Sequence, residues 1–204
     1  MNIKQTVVVK IGSSVLFSRR NKLDEYRIAQ MADQITSLRE AGVGVVLIIS
    51  GAVASGAKYI NGSDEISRRM AASIGQVLVI STFSRIFNQK GYQIAQLLLT
   101  KHDLNSNRLV DVMNGFVSNG IIPIINENDV VELNSFDGND FLGAEIATLL
   151  KSREFIILST MKGSLYGVGG GESKQQVIKL LNSRNIETKI FNGKVKNILL
   201  NTIL

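Results

Sequence analysis

The chain has 204 residues, 45% of them hydrophobic, enough for one sizeable core and too few for two comfortable ones. It contains no cysteine, which excludes a disulfide framework, a thiolate metal site and nucleophilic cysteine chemistry. The formal charge of +6 invites a nucleic-acid reading, yet the densest basic groups, Arg19-Arg20 with Lys22 and Arg68-Arg69, are scattered and lack interleaved aromatics, so no nucleic-acid partner is expected.

Apolar strands alternate with helical-period segments along the whole chain. Thr6–Ile11 reads as a buried strand. Asp24–Ala41 reads as a helix with Ile28, Met31, Ile35 and Leu38 on one face and Gly42 as its stop. Val43–Ile49 is a continuous apolar run, the pattern of a parallel strand covered on both faces. A long helix is predicted from Asp64 to Lys90, with Met70, Ile74, Val77 and Phe87 facing inward. Strands follow at Ile94–Leu99, Ile121–Ile125, Phe155–Leu158 and Thr188–Phe191, with short hairpin elements expected around Val130 to Phe136. The fold class is α/β: a three-layer α/β/α sandwich with a mostly parallel central sheet. The glycine run Gly167–Gly171 reads as a functional loop rather than a domain boundary. No apolar run reaches the roughly 18 residues of a membrane span, and the N-terminus lacks signal-peptide order, so a soluble cytoplasmic protein without a membrane partner is expected.

Ligands of open parallel sheets bind beyond the carboxyl ends of the strands, which directs attention to the residues after each strand. Lys10 with Gly12-Ser13-Ser14 follows the first strand, and Ser50–Gly56 follows the second. Both are small-residue turns whose backbone N–H groups could receive an anion, although tight turns alone would also use Gly and Ser. A lysine in an apolar strand is costly to bury without an anionic partner, unless it sits at an edge and snorkels to water. Lys162 and Lys174 occupy comparable places, and Lys174 opens a helix with Val177, Ile178 and Leu181 as its apolar positions. The segment Asn126-Glu127-Asn128-Asp129 ends a strand in four polar residues, and Asn139 and Asp140 follow shortly. Such carboxylates and amides suit a substrate ammonium group or the water shell of magnesium, or simply a polar loop with Asx turns. His102, the only histidine, reads as a surface or helix-start residue, which argues against a triad hydrolase and a histidine-ligated zinc enzyme. Phosphoryl transfer needs no protein nucleophile and fits what remains.

The segments Val8–Leu16, Ser50–Gly56, Ile74-Gly75-Gln76, Gln96–Thr100 and Pro123–Asp129 resemble the amino acid kinase family, and within it the glutamate 5-kinase subfamily. The resemblance implies ATP-dependent phosphorylation of the γ-carboxylate of L-glutamate, the first step of proline biosynthesis, with ATP and Mg2+ and with no protein ligand assigned to the metal. By this resemblance Lys10 and Lys174 are catalytic, and Ser50, Gly51, Ala52, Asn126, Asp129 and Asn139 bind the amino acid. Lys10, Gly12, Ser13, Ser159, Thr160, Lys162, Gly169, Gly170 and Lys174 would serve the nucleotide. It further implies a single domain over 1–204 without the optional RNA-binding-like C-terminal domain, and a homo-oligomer, dimer or tetramer. Two departures stand out. Ser159-Thr160 replaces the family's Thr-Asp, and roughly 40 residues usually found between Tyr166 and the glycine run are missing, more than ordinary loop variation. A naturally compact homologue, an internal deletion and a loop dropped from the sequence all fit that gap. The alternatives are a weakened or inactive homologue acting as a small-molecule binding module, and a kinase for another small carboxylate or phosphate acceptor.

Overall fold

A computed structural model describes residues 3–18, 22–160 and 171–204. Six strands, β1 (Gln5–Ile11), β2 (Val43–Ile49), β3 (Ile94–Leu99), β4 (Ile122–Glu127), β5 (Glu154–Ser159) and β6 (Glu187–Asn192), form one sheet in the order β3-β4-β2-β1-β5-β6. Every pairing within this sheet is parallel, and an isolated antiparallel bridge joins Phe17 and Leu23 outside it. Helices α1 (Ser13–Leu16), α2 (Glu25–Glu40), α3 (Ala52–Gly56), α4 (Glu65–Asn88), α5 (Asn107–Ser118), α6 (Asn139–Leu149), α7 (Gly171–Asn182) and α8 (Leu200–Ile203) complete the described elements, with short 3-10 turns at Ala57–Tyr59 and Lys101–Asn105.

The side-chain alternation of the strands divides the core in two. Val7, Val9, Ile11, Val45, Leu47 and Ile49 face α2 and α4, whereas Val8, Val46, Ile48 and Ile157 face α5, α6 and α7. This is the expected three-layer arrangement, and β2 is buried at all seven positions. The predicted strands and the two long helices are present, α2 starting at Asp24, whose carboxylate accepts the Arg27 N–H at 3.0 Å, and α4 at Asp64, which accepts the Ser67 N–H at 2.9 Å.

Two expectations are overturned. Met70 and Val77 do not face inward but are 50% and 65% exposed, and the buried face of α4 consists of Ala71, Ala72, Gly75, Gln76, Val79, Phe83, Ile86 and Phe87. The phase of the helix is set by α3, which lies against it backbone to backbone. A Cβ on Gly56 would come within 1.9 Å of the Ala71 carbonyl oxygen, and one on Gly75 within 1.7 Å of that of Ala52. Only glycine permits so close an approach. The second correction concerns Val130–Phe136, which contains no strand; the chain curls instead through turns, with Val131 and Glu132 N–H donating to the Asn128 carbonyl. Asn134 and Asp137 adopt left-handed φ values of 56° and 59°, incompatible with a ladder and tolerated by Asn and Asp.

By length and composition α4 could cross a membrane. Its close packing on α3 and its share of the core identify it as a core helix. Because α3 can seat only where α4 lacks side chains, Gly75→Ala should cost about 1–3 kcal/mol through overpacking, read as a lowered urea midpoint. An unchanged midpoint would mean that α3 is free to move off α4.

Candidate active site

Lys10 is the penultimate residue of β1, in register with Ile48 of β2 and Ile157 of β5. It is therefore central in the sheet, not at an edge, and shares the parity of Val8, so its side chain emerges toward α6. There its ammonium meets Asp140 at 2.6 Å. The other oxygen of Asp140 lies 3.2 Å from the Lys174 ammonium, which α7 brings from the far side of the sequence. Asp140 is 3% exposed and occupies the first turn of α6, where the helix dipole favours a carboxylate. Gly138, at φ 116°, precedes that turn as the N-cap. Within this trio one buried carboxylate faces two ammonium groups, an arrangement that places positive charge where an anionic group could bind.

Beside the trio is an open cavity of about 370 Å³. The turn after β2 supplies Ser50, Gly51 and Ala52, the end of β4 supplies Asn126 and Glu127, the following loop supplies Asp129, Asn134 and Asp137, and Asn139 closes the ring with Asp140. Gly51 has φ 102°, and a Cβ there would meet the Phe17 ring at 2.4 Å, so this turn is restricted to glycine. The Oδ1 atoms of Asn126 and Asn139 are buried with no hydrogen-bond partner among the described residues, an arrangement expected of groups that await a ligand. The cavity is thus cationic at Lys10 and anionic along Glu127, Asp129 and Asp137. Burial pushes the Glu127 carboxyl up to about 7, opposed by the Phe136 N–H it accepts and reinforced by Asp129 and Asp137. Burial likewise raises Asp129, against the Asn134 N–H and the charges of Arg68 and Arg69.

All six residues assigned to the amino acid by resemblance line this cavity, as do Lys10 and Ser13, and Lys174 joins them through Asp140. Gly12, Ser159 and Thr160 do not line it; they meet on the other flank of β1, where the Gly12 N–H donates to Leu158 at 2.9 Å and the Thr160 N–H to the Ser14 hydroxyl at 3.2 Å. Lys162, Gly169 and Gly170 lie outside the described residues, as does the position of the expected 40-residue gap. His102 is exposed in the turn after β3, as expected. The sequence pattern marks Asp140 and Glu127 as part of a polar cluster but gives them no site role, and it does not mark Asn134 or Asp137; all four line the cavity, as does Ser173. A carboxylate in the first turn of an apolar helix was the available signal for Asp140. Among the described residues no group of three or more His, Cys, Asp or Glu side chains could hold a metal ion.

The sequence profile of the Amino acid kinase family matches residues 5–200. The chain is 39% identical over 170 residues to Glutamate 5-kinase 2 of Bacillus licheniformis, which covers 78% of this chain and 46% of that one, so it spans about half the length of that relative. It is 36% identical over 198 residues to Glutamate 5-kinase of Clostridium acetobutylicum, covering 92% of this chain and 74% of the relative. With Glutamate 5-kinase of Bacteroides thetaiotaomicron the identity is 31% over 241 residues, 97% of this chain and 66% of the other. An alignment longer than the 204-residue chain requires that relative to carry segments this chain lacks. In three dimensions the chain is similar to UMP kinase from Ureaplasma parvum, with a TM-score of 0.68 at 14% identity and coverage of 98% and 95%. Isopentenyl phosphate kinase gives 0.67 at 15% identity, with 97% and 95% covered. These likenesses show the fold, and with the family profile matched over nearly its whole length the chain belongs to the amino acid kinase family.

Proposed function

We infer that the chain transfers the γ-phosphoryl group of ATP to the γ-carboxylate of L-glutamate. The observation that carries this reading is the Lys10–Asp140–Lys174 trio at the junction between an amide- and carboxylate-lined cavity and the small-residue turn after β1. The names of the relatives, each a glutamate 5-kinase, support glutamate as the acceptor.

In this reading the ammonium group of glutamate lies toward Asp129 and the unpaired amide oxygens of Asn126 and Asn139, while its side-chain carboxylate points to Lys10. That carboxylate, with a usual pKa of about 4.3, is ionised at neutral pH, so no general base is needed and the lack of a histidine in the cavity is no handicap. A carboxylate oxygen attacks the γ-phosphorus, the bond from that phosphorus to the β–γ bridging oxygen breaks, and the leaving electron pair stays on ADP. Lys10 and Lys174 offset the charge on the transferred group, and Asp140 keeps the two ammonium groups from drifting apart. Backbone N–H groups around Gly12 and Ser13, with Ser159 and Thr160 across the β1–β5 boundary, would receive the nucleotide phosphates. No ready-made protein cage for a metal exists among the described residues, so a magnesium ion would be held chiefly by phosphates and water and would supply charge neutralisation of the phosphates. Retention of both lysines and their bridging carboxylate favours a kinase over a binding module.

A homo-oligomer, dimer or tetramer, is part of the same reading. Ile66, Met70 and Val77 are 64%, 50% and 65% exposed and fall on one stripe of α4, beside Val131, which Arg69 holds through its carbonyl. The cytoplasm, with its ATP and free amino acids, is the location we infer.

With MgATP and L-glutamate, hydroxylamine trapping should yield hydroxamate from the wild-type chain and at least a hundredfold less from Lys10→Ala with its fold intact, on the order expected for a lost transition-state charge contact. Hydroxamate from neither protein would sink the kinase reading, and equal yields would remove Lys10 from the mechanism. Calorimetry on Asp129→Ala should show glutamate affinity falling at least about tenfold with ATP affinity nearly unchanged; equal losses would undo the assignment of Asp129. In sedimentation velocity, Val77→Asp should shift an oligomer to monomer, and a monomeric wild type would refute self-association through α4.

A further inference from the structure

Glu127 takes no part in the chemistry just described, yet it is the most enclosed carboxylate on the anionic side of the cavity, 3% exposed at the end of β4. Its Oε2 accepts the Phe136 N–H at 3.3 Å, a contact that closes the loop carrying Asp129 and Asn134, with Asp137 immediately beyond it. The same loop is pinned elsewhere. Arg69 donates to the carbonyl oxygens of Val130 at 2.8 Å and Val131 at 2.7 Å, the Asn128 N–H donates to Leu99 at 2.8 Å, and the Ser135 hydroxyl accepts the Lys101 N–H at 2.9 Å. The Glu127 backbone carbonyl in turn accepts from Gln76 at 3.4 Å. The Arg69, Asn128 N–H and Lys101 N–H contacts go to backbone carbonyls or a hydroxyl, neutral acceptors whose strength does not change with pH. The titratable acceptors on this loop are the carboxylates of Asp129, which takes the Asn134 N–H at 3.5 Å, of Asp137, which meets Lys101 at 3.3 Å, and of Glu127, the most enclosed of the three.

The charged groups that act on Glu127 are Asp129 and Asp137, which oppose its ionisation, and Lys101, which favours it; burial opposes it most of all. Its carboxyl therefore changes charge around neutrality, where an ordinary glutamate is fully ionised. A cation entering the cavity between Glu127 and Asp129 would reverse the balance and draw the proton off.

We propose that Glu127 is a proton-coupled positioning residue: its ionised carboxylate holds the Phe136 N–H and completes the negative end of the cavity, so an ammonium-bearing ligand binds as Glu127 releases its proton to solvent. The proposal rests on the reading of the cavity as an amino acid site. The reaction is balanced, since the neutral carboxyl and the ligand ammonium become a carboxylate–ammonium pair plus one proton in solution. Its sign follows from linkage. Above pH about 7 the carboxyl is already ionised in the free protein and affinity is flat. As pH falls below about 7 the proton must be displaced, and affinity declines by up to about tenfold per pH unit until the bound form also protonates.

The test is calorimetric titration of the whole chain with L-glutamate, and with glutarate, which keeps both carboxylates and lacks the ammonium group. Runs between about pH 5.5 and about pH 8.5 in buffers of different ionisation enthalpy count the protons released. Glutamate should bind several-fold more tightly at the upper end and release a fraction of a proton approaching one near pH 6.5, whereas glutarate should release none. Glu127→Gln keeps an oxygen to accept the Phe136 N–H, so the loop stays tethered, and its glutamate affinity should lose the pH dependence. A purely structural tether would leave that dependence in place in Glu127→Gln, and this result overturns the proposal. Flat wild-type affinity with binding intact overturns it while leaving the amino acid reading standing; glutamate binding at no pH removes both.

Discussion

The structure depends on Asp140 more than on any other side chain. Two lysines separated by most of the sequence cannot be held a few ångströms apart in a buried site unless a fixed negative charge lies between them, since breaking such an arrangement leaves uncompensated charge in a dry environment. Asp140 provides that charge from the first turn of α6, the helix that packs beneath β1, β2 and β5. Its position in turn needs the left-handed residues at 137 and 138 that turn the chain out of the cavity loop and into the helix. The loop, the helix start and the two lysines are therefore one mechanical unit.

The sheet explains why this unit faces a cavity. With β1 in the middle and chain connections leaving to either side, the carboxyl ends of β2 and β4 lie on one flank of Lys10 and that of β5 on the other. The crevice at such a reversal is where open α/β sheets bind ligands. Amide and carboxylate side chains cluster on the β2–β4 flank, and small residues and backbone N–H groups on the β5 flank. Lys10 stands on the boundary between them.

Much of this was legible in the sequence because it rests on local pattern. The seven-residue apolar run of β2 needs no context to be read as a covered parallel strand, and Lys10 at the end of β1 is conspicuous for the same reason. The helix phase of α4 differs from the expectation because Met70 and Val77 are apolar at helical spacing, yet the buried face is chosen where Gly56 of α3 and Gly75 of α4 let the two backbones meet, about twenty residues apart in sequence. The hairpin around Val130 failed because alternating apolar residues in a short segment cannot reveal left-handed turns at Asn134 and Asp137. Asp140 and Glu127 were in view but not in the site, since what distinguishes them is their partners. Lys10 is 130 positions from Asp140, and Phe136 reaches Glu127 only after the loop has curled back.

The loop that lines the cavity is fastened in two places with different reach. Among the described residues, 128–136 are tied to β4, α4 and the turn after β3, whereas 137 and 138 lead directly into α6, which packs against β1 and β5. In the reading proposed above, exchanges within 128–136 would therefore reshape the acceptor end of the cavity, while a change at 137 or 138 would also shift Asp140 and with it both lysines.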